Sequence, residues 1–185
     1  MSTYYLMAQL PSLDGLGENA PPPIGEERFL QLCGSFLGKK ARLRLEKLRL
    51  MPPREHEKTG SALIDAWNQG ERRLRIALAA ARAERMKKSF DGSTDGFPLG
   101  LLKAAGEAAA IENPMEAELF LNRFRMDFLE SIRPRDMFAE DSVYYYGLKL
   151  KLMLRISRFD LKSGREAYRN IYGSVLGGDR MEVLS

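Results

Sequence analysis

The chain is poor in the residues on which most compact active sites are built. It has one cysteine, Cys33, and one histidine, His56, among 185 residues. An internal disulfide, a Cys/His zinc site and an HExxH helix are therefore excluded, and any Ser-His-Asp arrangement would have to be built on His56. Long apolar runs are also missing: none approaches the roughly 18 to 20 residues that cross a bilayer. No basic stretch followed by an apolar one opens the sequence as a secretory leader would. These absences lead to the expectation of a soluble, cytoplasmic chain with no cofactor and no metal. Its length suits one domain with a sizeable core.

Charge is present and unevenly placed. Residues 1–38 carry one basic and four acidic groups, residues 39–88 fifteen basic and six acidic, and residues 89–185 thirteen basic and fifteen acidic. A net charge of +4 thus conceals a surplus of +9 in the second quarter. Such a block attracts an acidic protein face, an anionic membrane surface or nucleic acid.

The apolar residues repeat at helical spacing almost throughout. Tyr4 to Leu10 is too short for its period to separate a helix from a buried strand, and the proline- and glycine-rich stretch from Pro11 to Gly25 reads as an extended loop. From Glu26, the positions Phe29, Leu32, Cys33 and Phe36 mark one face of a helix, with Gly38 as its stop. Residues 39–50 are ambiguous: Leu43 and Leu45 alternate with arginines as in a strand, but the Leu45–Leu48 spacing and the Lys, Arg and Leu content favour a short helix ended by Pro52 and Pro53. A long helix is predicted for residues 61–88, capped by Thr59 or Ser61. Its stripe is Leu63, Ala66, Trp67, Gly70, Leu74, Ala77, Leu78 and Ala81, narrow enough for close approach by another helix.

After a loop at Ser89–Phe97, a shorter helix is expected from Pro98 to Ala110. Asn113-Pro114-Met115-Glu116 then combines a cap, a proline at the first helical position and an acid at N3, and Ala117, Phe120, Leu121, Phe124 and Phe128 are expected as the buried face, up to a stop at Pro134. A helix from Asp141, as cap, to Lys162 is apolar on most of its circumference, which places it centrally in a bundle or against a partner. A last helix starts at Ser163 with Glu166 at capping-box spacing. The expected architecture is an all-α antiparallel bundle of six to seven helices in a single domain, residues 1–185, with the loop 89–98 as the place where two lobes could divide.

No catalytic constellation emerges. His56 lies in the charged stretch Arg54-Glu55-His56-Glu57-Lys58, where a solvated loop is the simpler reading, and Cys33 falls on an apolar helix face. Glycine steps at Gly15–Gly17 and Gly34–Gly38 lack a Walker lysine and a strand–turn–helix setting. Glu112, Glu116 and Asp127 would form a carboxylate site only in a deep shared pocket. The candidate partner-binding residues are instead Arg72, Arg73, Arg75, Arg82 and Arg85 on the flank of the long helix, part of it paired internally through Glu71 and Arg75, together with Tyr144 and Tyr145 of the Tyr144-Tyr145-Tyr146 run. RNA recognition would want aromatics exposed among the cations, and Trp67 lies on the apolar stripe.

Three stretches carry a family resemblance: Tyr4-Tyr5-Leu6-Met7-Ala8-Gln9-Leu10-Pro11, Trp67-Asn68-Gln69-Gly70-Glu71-Arg72-Arg73-Leu74-Arg75 with Arg82-Ala83, and Asn113-Pro114-Met115-Glu116-Ala117-Glu118. With Tyr146, Lys149-Leu150, Arg155, Phe159 and Gly164 further on, the order resembles the bacterial domain of unknown function 2764. That family is typically encoded among V-type (A/V-type) ATPase genes and is distantly similar to the all-helical, funnel-shaped C (or d) component of those ATPases, which joins the rotor shaft to the membrane ring. The resemblance implies a non-catalytic accessory or coupling part in ion or proton transport, acting in assembly or in rotor and membrane-sector contact. Its partners would be ATPase subunits, with membrane association only through the complex. The chain is shorter than the full funnel-shaped component, so a complete socket is not implied. The alternative from the charge pattern is a basic helical nucleic-acid-binding protein, although no specific nucleic acid is expected.

Overall fold

A computed structural model describes residues 2–16, 20–53 and 58–157; His56 and the expected helix from Ser163 lie outside these. Seven helices, and no strand, occur among the described residues: α1 (Ser2–Gln9), α2 (Glu26–Phe36), α3 (Lys39–Glu46), α4 (Ala62–Arg85), α5 (Leu99–Ala110), α6 (Pro114–Ser131) and α7 (Glu140–Ser157). The fold is the expected all-α bundle.

Both ambiguous segments are helical. Leu6 of α1 and Leu10 just after it are buried in the core at a spacing of four. A helix of this length is marginal alone and is held by packing on α2 and α7. In α3 a strand would place Leu43 and Leu45 on one face, but Leu45 is buried with Ala41 and Leu48 while Leu43 is half exposed. Helical spacing of the buried positions wins over alternation. Gly38 does not stop α2 with a left-handed turn; its backbone is extended and it serves as the N-cap position of α3.

Ser61 caps α4, its hydroxyl accepting the Ile64 N–H at 3.2 Å. The helix ends three residues earlier than expected, at Arg85. Lys87 N–H bonds Glu84 O and Lys88 N–H bonds Ala83 O, and Lys87 sits at φ +54. This is a Schellman ending with a lysine at the position glycine usually takes, so no glycine marks it in the sequence. Asn113 caps α6 as expected, accepting the Met115 N–H at 3.0 Å, but Glu116 takes a hydrogen bond from the Asn113 side-chain amide and not from its backbone N–H.

Asp141 is not the cap of its own helix, which begins at Glu140. Its carboxylate accepts from Ser61 Oγ at 2.6 Å and from the Leu63 N–H at 3.3 Å. Asp141 therefore caps α4 from another helix, using the favourable dipole at that N-terminus. A local spacing rule cannot see this contact because the partners are 80 residues apart.

The centre of the fold is α7, where Ser142 to Leu150 form nine consecutive buried residues. It packs against α1, α2, α3, α4 and α6. A helix surrounded on so many sides has to be apolar around its circumference, as its sequence shows. Gly147 allows the close approach: a Cβ there would lie 3.1 Å from both Leu48 Cδ2 and Phe29 Cε1.

Buried apolar residues form two clusters. The larger joins α1, α2, α3 and α7 to the first part of α4 through Leu63, Ile64 and Trp67 and to the end of α6 through Leu129. The smaller is built from Leu74, Ala77 and Leu78 of α4, Ala105 and Ala108 of α5, and Leu121 of α6. Short alanine side chains let α4 and α5 pack closely. The boundary between the clusters thus runs across α4 and α6, near residues 70–71 and 122–125.

Candidate docking surfaces

The arginine flank of α4 is largely engaged within the molecule. Arg72 Nη1 donates to Pro53 O at 3.3 Å and Arg75 Nη2 to Pro52 O at 2.7 Å, tying α4 to the double-proline turn. The Arg73 guanidinium lies 5.8 Å from the centre of the Phe97 ring, and Arg85 donates to Ala109 O of α5. Arg82 is exposed. Four of the five expected docking arginines therefore also staple their own fold.

Tyr144 and Tyr145 are not presented to a partner, contrary to expectation. All three tyrosines of the run are buried, because α7 has packed neighbours in every direction they point. Tyr144 Oη donates to Ala41 O of α3 at 3.3 Å, and Tyr146 Oη donates to Pro11 O at 2.9 Å while its ring stacks on Phe29. Tyr145 lies beneath two cations, with Arg133 at 5.4 Å and Lys149 at 5.8 Å from its ring centre. Burial pushes the Tyr145 and Tyr146 hydroxyls up to about 12.

Glu71 also departs from its expected role. It is 2% exposed and does not pair with Arg75; it holds Arg125 of α6 in a two-pronged salt bridge, with Nε and Nη2 each 3.0 Å from a carboxylate oxygen. Arg125 Nη1 reaches Asn122 Oδ1 at 3.2 Å and Glu118 Oε1 at 3.3 Å, and Glu118 also accepts from Arg155 of α7 at 2.5 Å. The buried line of α6 is consequently Leu121, Asn122, Arg125 and Leu129; of the expected face Leu121 is buried, while Ala117, Phe120, Phe124 and Phe128 are only partly so. This network occupies the boundary between the two apolar clusters. Trp67 Nε1 and Asn122 Nδ2 are buried nearby without a hydrogen-bond partner among the described residues.

A second ionic group fastens the N-terminal segment to α6 and α7. Lys149 Nζ donates to Asp14 and, at 2.6 Å, to Glu130, and Arg133 lies 3.3 Å from Asp14. Burial opposes the Lys149 ammonium, but the hydrogen bonds to Asp14 and Glu130 outweigh it and raise its pKa above the ordinary lysine value. The same bond from Lys149 lowers Asp14; at Glu130 burial acts upward and is overcome by Lys149. Lys149, Arg133 and Tyr145 border a cavity of about 240 Å³ that Met7, Leu10 and Met137 close on its apolar side.

Beside that cavity, apolar groups reach the surface. The Tyr4 ring contacts Phe138 at a centroid distance of 4.8 Å and Tyr5 at 5.5 Å, yet Tyr4, Tyr5, Met137 and Phe138 are each about half exposed. The patch joins α1 to the turn before α7. The carboxylates Glu112, Glu116 and Asp127 are not gathered: all three are exposed, the first two at the start of α6 and Asp127 about three turns further along it. Cys33 is fully buried, and burial raises its thiol to about 12. Among the described residues no group of His, Cys, Asp and Glu could hold a metal ion, and no helix is long and apolar enough to cross a membrane. No known protein family, curated protein or solved structure matches the chain.

Proposed function

We propose that the protein is a non-catalytic docking component of a bacterial V-type ATPase, acting in assembly or in contact between the soluble and membrane sectors. The observation that supports docking is the exposed aromatic patch of Tyr4, Tyr5, Met137 and Phe138, assembled from two segments more than 130 residues apart in sequence. A patch of aromatic and methionine side chains left at the surface is the composition found at the centres of protein interfaces. Tyr4 and Tyr5 belong to the opening stretch that carries the resemblance to the ATPase-associated family, which is the reason for naming this assembly as the partner.

The nucleic-acid reading has less support. Trp67 is the one aromatic residue within the basic block, and it is fully buried, so no base can stack on it. Deleting the gene tests the ATPase reading: loss of complex assembly or of proton-coupled ATP hydrolysis is expected. Unchanged assembly and coupling would contradict it.

A further inference from the structure

Four of the fifteen basic residues of 39–88 meet at one concavity. Arg44, Lys47, Arg49 and Lys58 line a cleft of about 220 Å³ where α3, the double-proline turn and the start of α4 meet, and no acidic residue lines it among the described residues. Lys47, Arg49 and Lys58 make no side-chain hydrogen bond or ion pair among the described residues and are exposed.

Three carboxylates near the cleft are already engaged. Asp65 accepts from the Thr59 N–H at 2.9 Å and from the Thr59 hydroxyl at 2.8 Å, Asp141 caps α4, and Glu140 accepts from Arg44 Nη1 at 3.4 Å. Arg44 is held in place by its Nε bond to Thr59 O at 3.0 Å. Gly60, at φ +78, makes room for it: a Cβ there would lie 2.9 Å from Arg44 Nη2.

The lining also indicates what kind of anion fits. A phosphate site at a helix start uses free backbone N–H groups. Here the Ser61, Leu63 and Ile64 N–H groups are occupied by Thr59 Oγ1, Asp141 and Ser61 Oγ. Half-exposed Leu43 and the exposed Pro53 give the cleft an apolar side that a bare anion would not use. Spread cations beside an apolar wall complement a peptide bearing both carboxylates and apolar side chains.

We infer that this cleft receives an acidic segment of a partner protein. Its carboxylates lie on Lys47, Arg49 and Lys58, and an apolar side chain lies against Leu43 and Pro53. The inference does not depend on which assembly the protein joins.

Fluorescence anisotropy with a short labelled peptide of glutamates and leucines tests it on the full chain. Binding at low salt that weakens with added salt is expected. The K47E/R49E pair should weaken it by about tenfold or more, through two lost attractions and two new repulsions. The K87E/K88E pair makes the same change in net charge away from the cleft and should change binding by less than about twofold. R49Q/K58Q supplies a milder variant should charge reversal impair folding as judged by circular dichroism. No binding of the peptide, or equal loss in both charge-reversed pairs, would overturn the inference. Tighter binding of pyrophosphate, RNA or anionic vesicles than of the peptide would also overturn it, by assigning the cleft to phosphate.

Discussion

Single side chains carry more of this structure than their positions in the sequence suggest. Glu71 reads as a surface partner of Arg75, four residues on, but it is buried and holds Arg125. Replacing it with Gln leaves a guanidinium inside the fold with half its compensation, and a loss of about 3–5 kcal/mol is expected in urea unfolding. The double variant E71L/R125L should lose less than E71Q, because it removes both charges together; a loss below about 1 kcal/mol for E71Q would contradict the assigned pair. The Lys149 group makes a second prediction. Asp14 and Glu130 lie below their ordinary values of 3.8 and 4.5, so the unfolded chain takes up protons at higher pH than the native one. Their contribution is complete at neutral pH and is lost as pH falls below about 4.5 and through the native values. In K149M the acid branch of the stability curve should flatten, and an acid branch parallel to that of the unchanged protein would remove Lys149 as its cause. These ionic partners are not legible in the sequence: Lys149 and Asp14 are 135 residues apart, beyond any spacing rule.

At the scale of the element, the sequence makes legible whatever the local chain decides. Helix period, the Ser61 and Asn113 caps and the proline at the start of α6 all act within a few residues, and the helices form where those signals fall. The end of α4 escapes such reading because Lys87 occupies the left-handed position without a glycine to mark it, and the cap role of Asp141 escapes it because its targets belong to α4. Gly70 reads as a point of close approach, and the structure supplies the approaching group: a Cβ there would lie 2.3 Å from Phe128 Cε1. G70A would gain about 1 kcal/mol in helix propensity, yet a net loss of about 1–3 kcal/mol is expected from the displaced ring. Adding F128A should make the glycine replacement neutral or stabilising in thermal unfolding. Equal effects of G70A with and without Phe128 would show that the ring is not the obstacle.

For the whole molecule, the central position of α7 follows from its all-round apolar sequence, and the same packing removes Tyr144 and Tyr145 from the surface. The surface patch could not be foreseen, since it exists only where α1 meets the turn before α7. Among the described residues the surface carries an aromatic patch and a cationic cleft on different elements, two features suited to holding larger partners. The most direct test of a docking role in the V-type ATPase is quantitative co-purification with ATPase subunits from the organism that encodes the protein, comparing the unchanged chain with Y4A/F138A. Recovery of ATPase subunits by the unchanged chain, reduced about tenfold or more in a folded Y4A/F138A variant, is the predicted result. Absence of ATPase subunits from both preparations, or their equal recovery with both, would contradict the proposed docking through this patch.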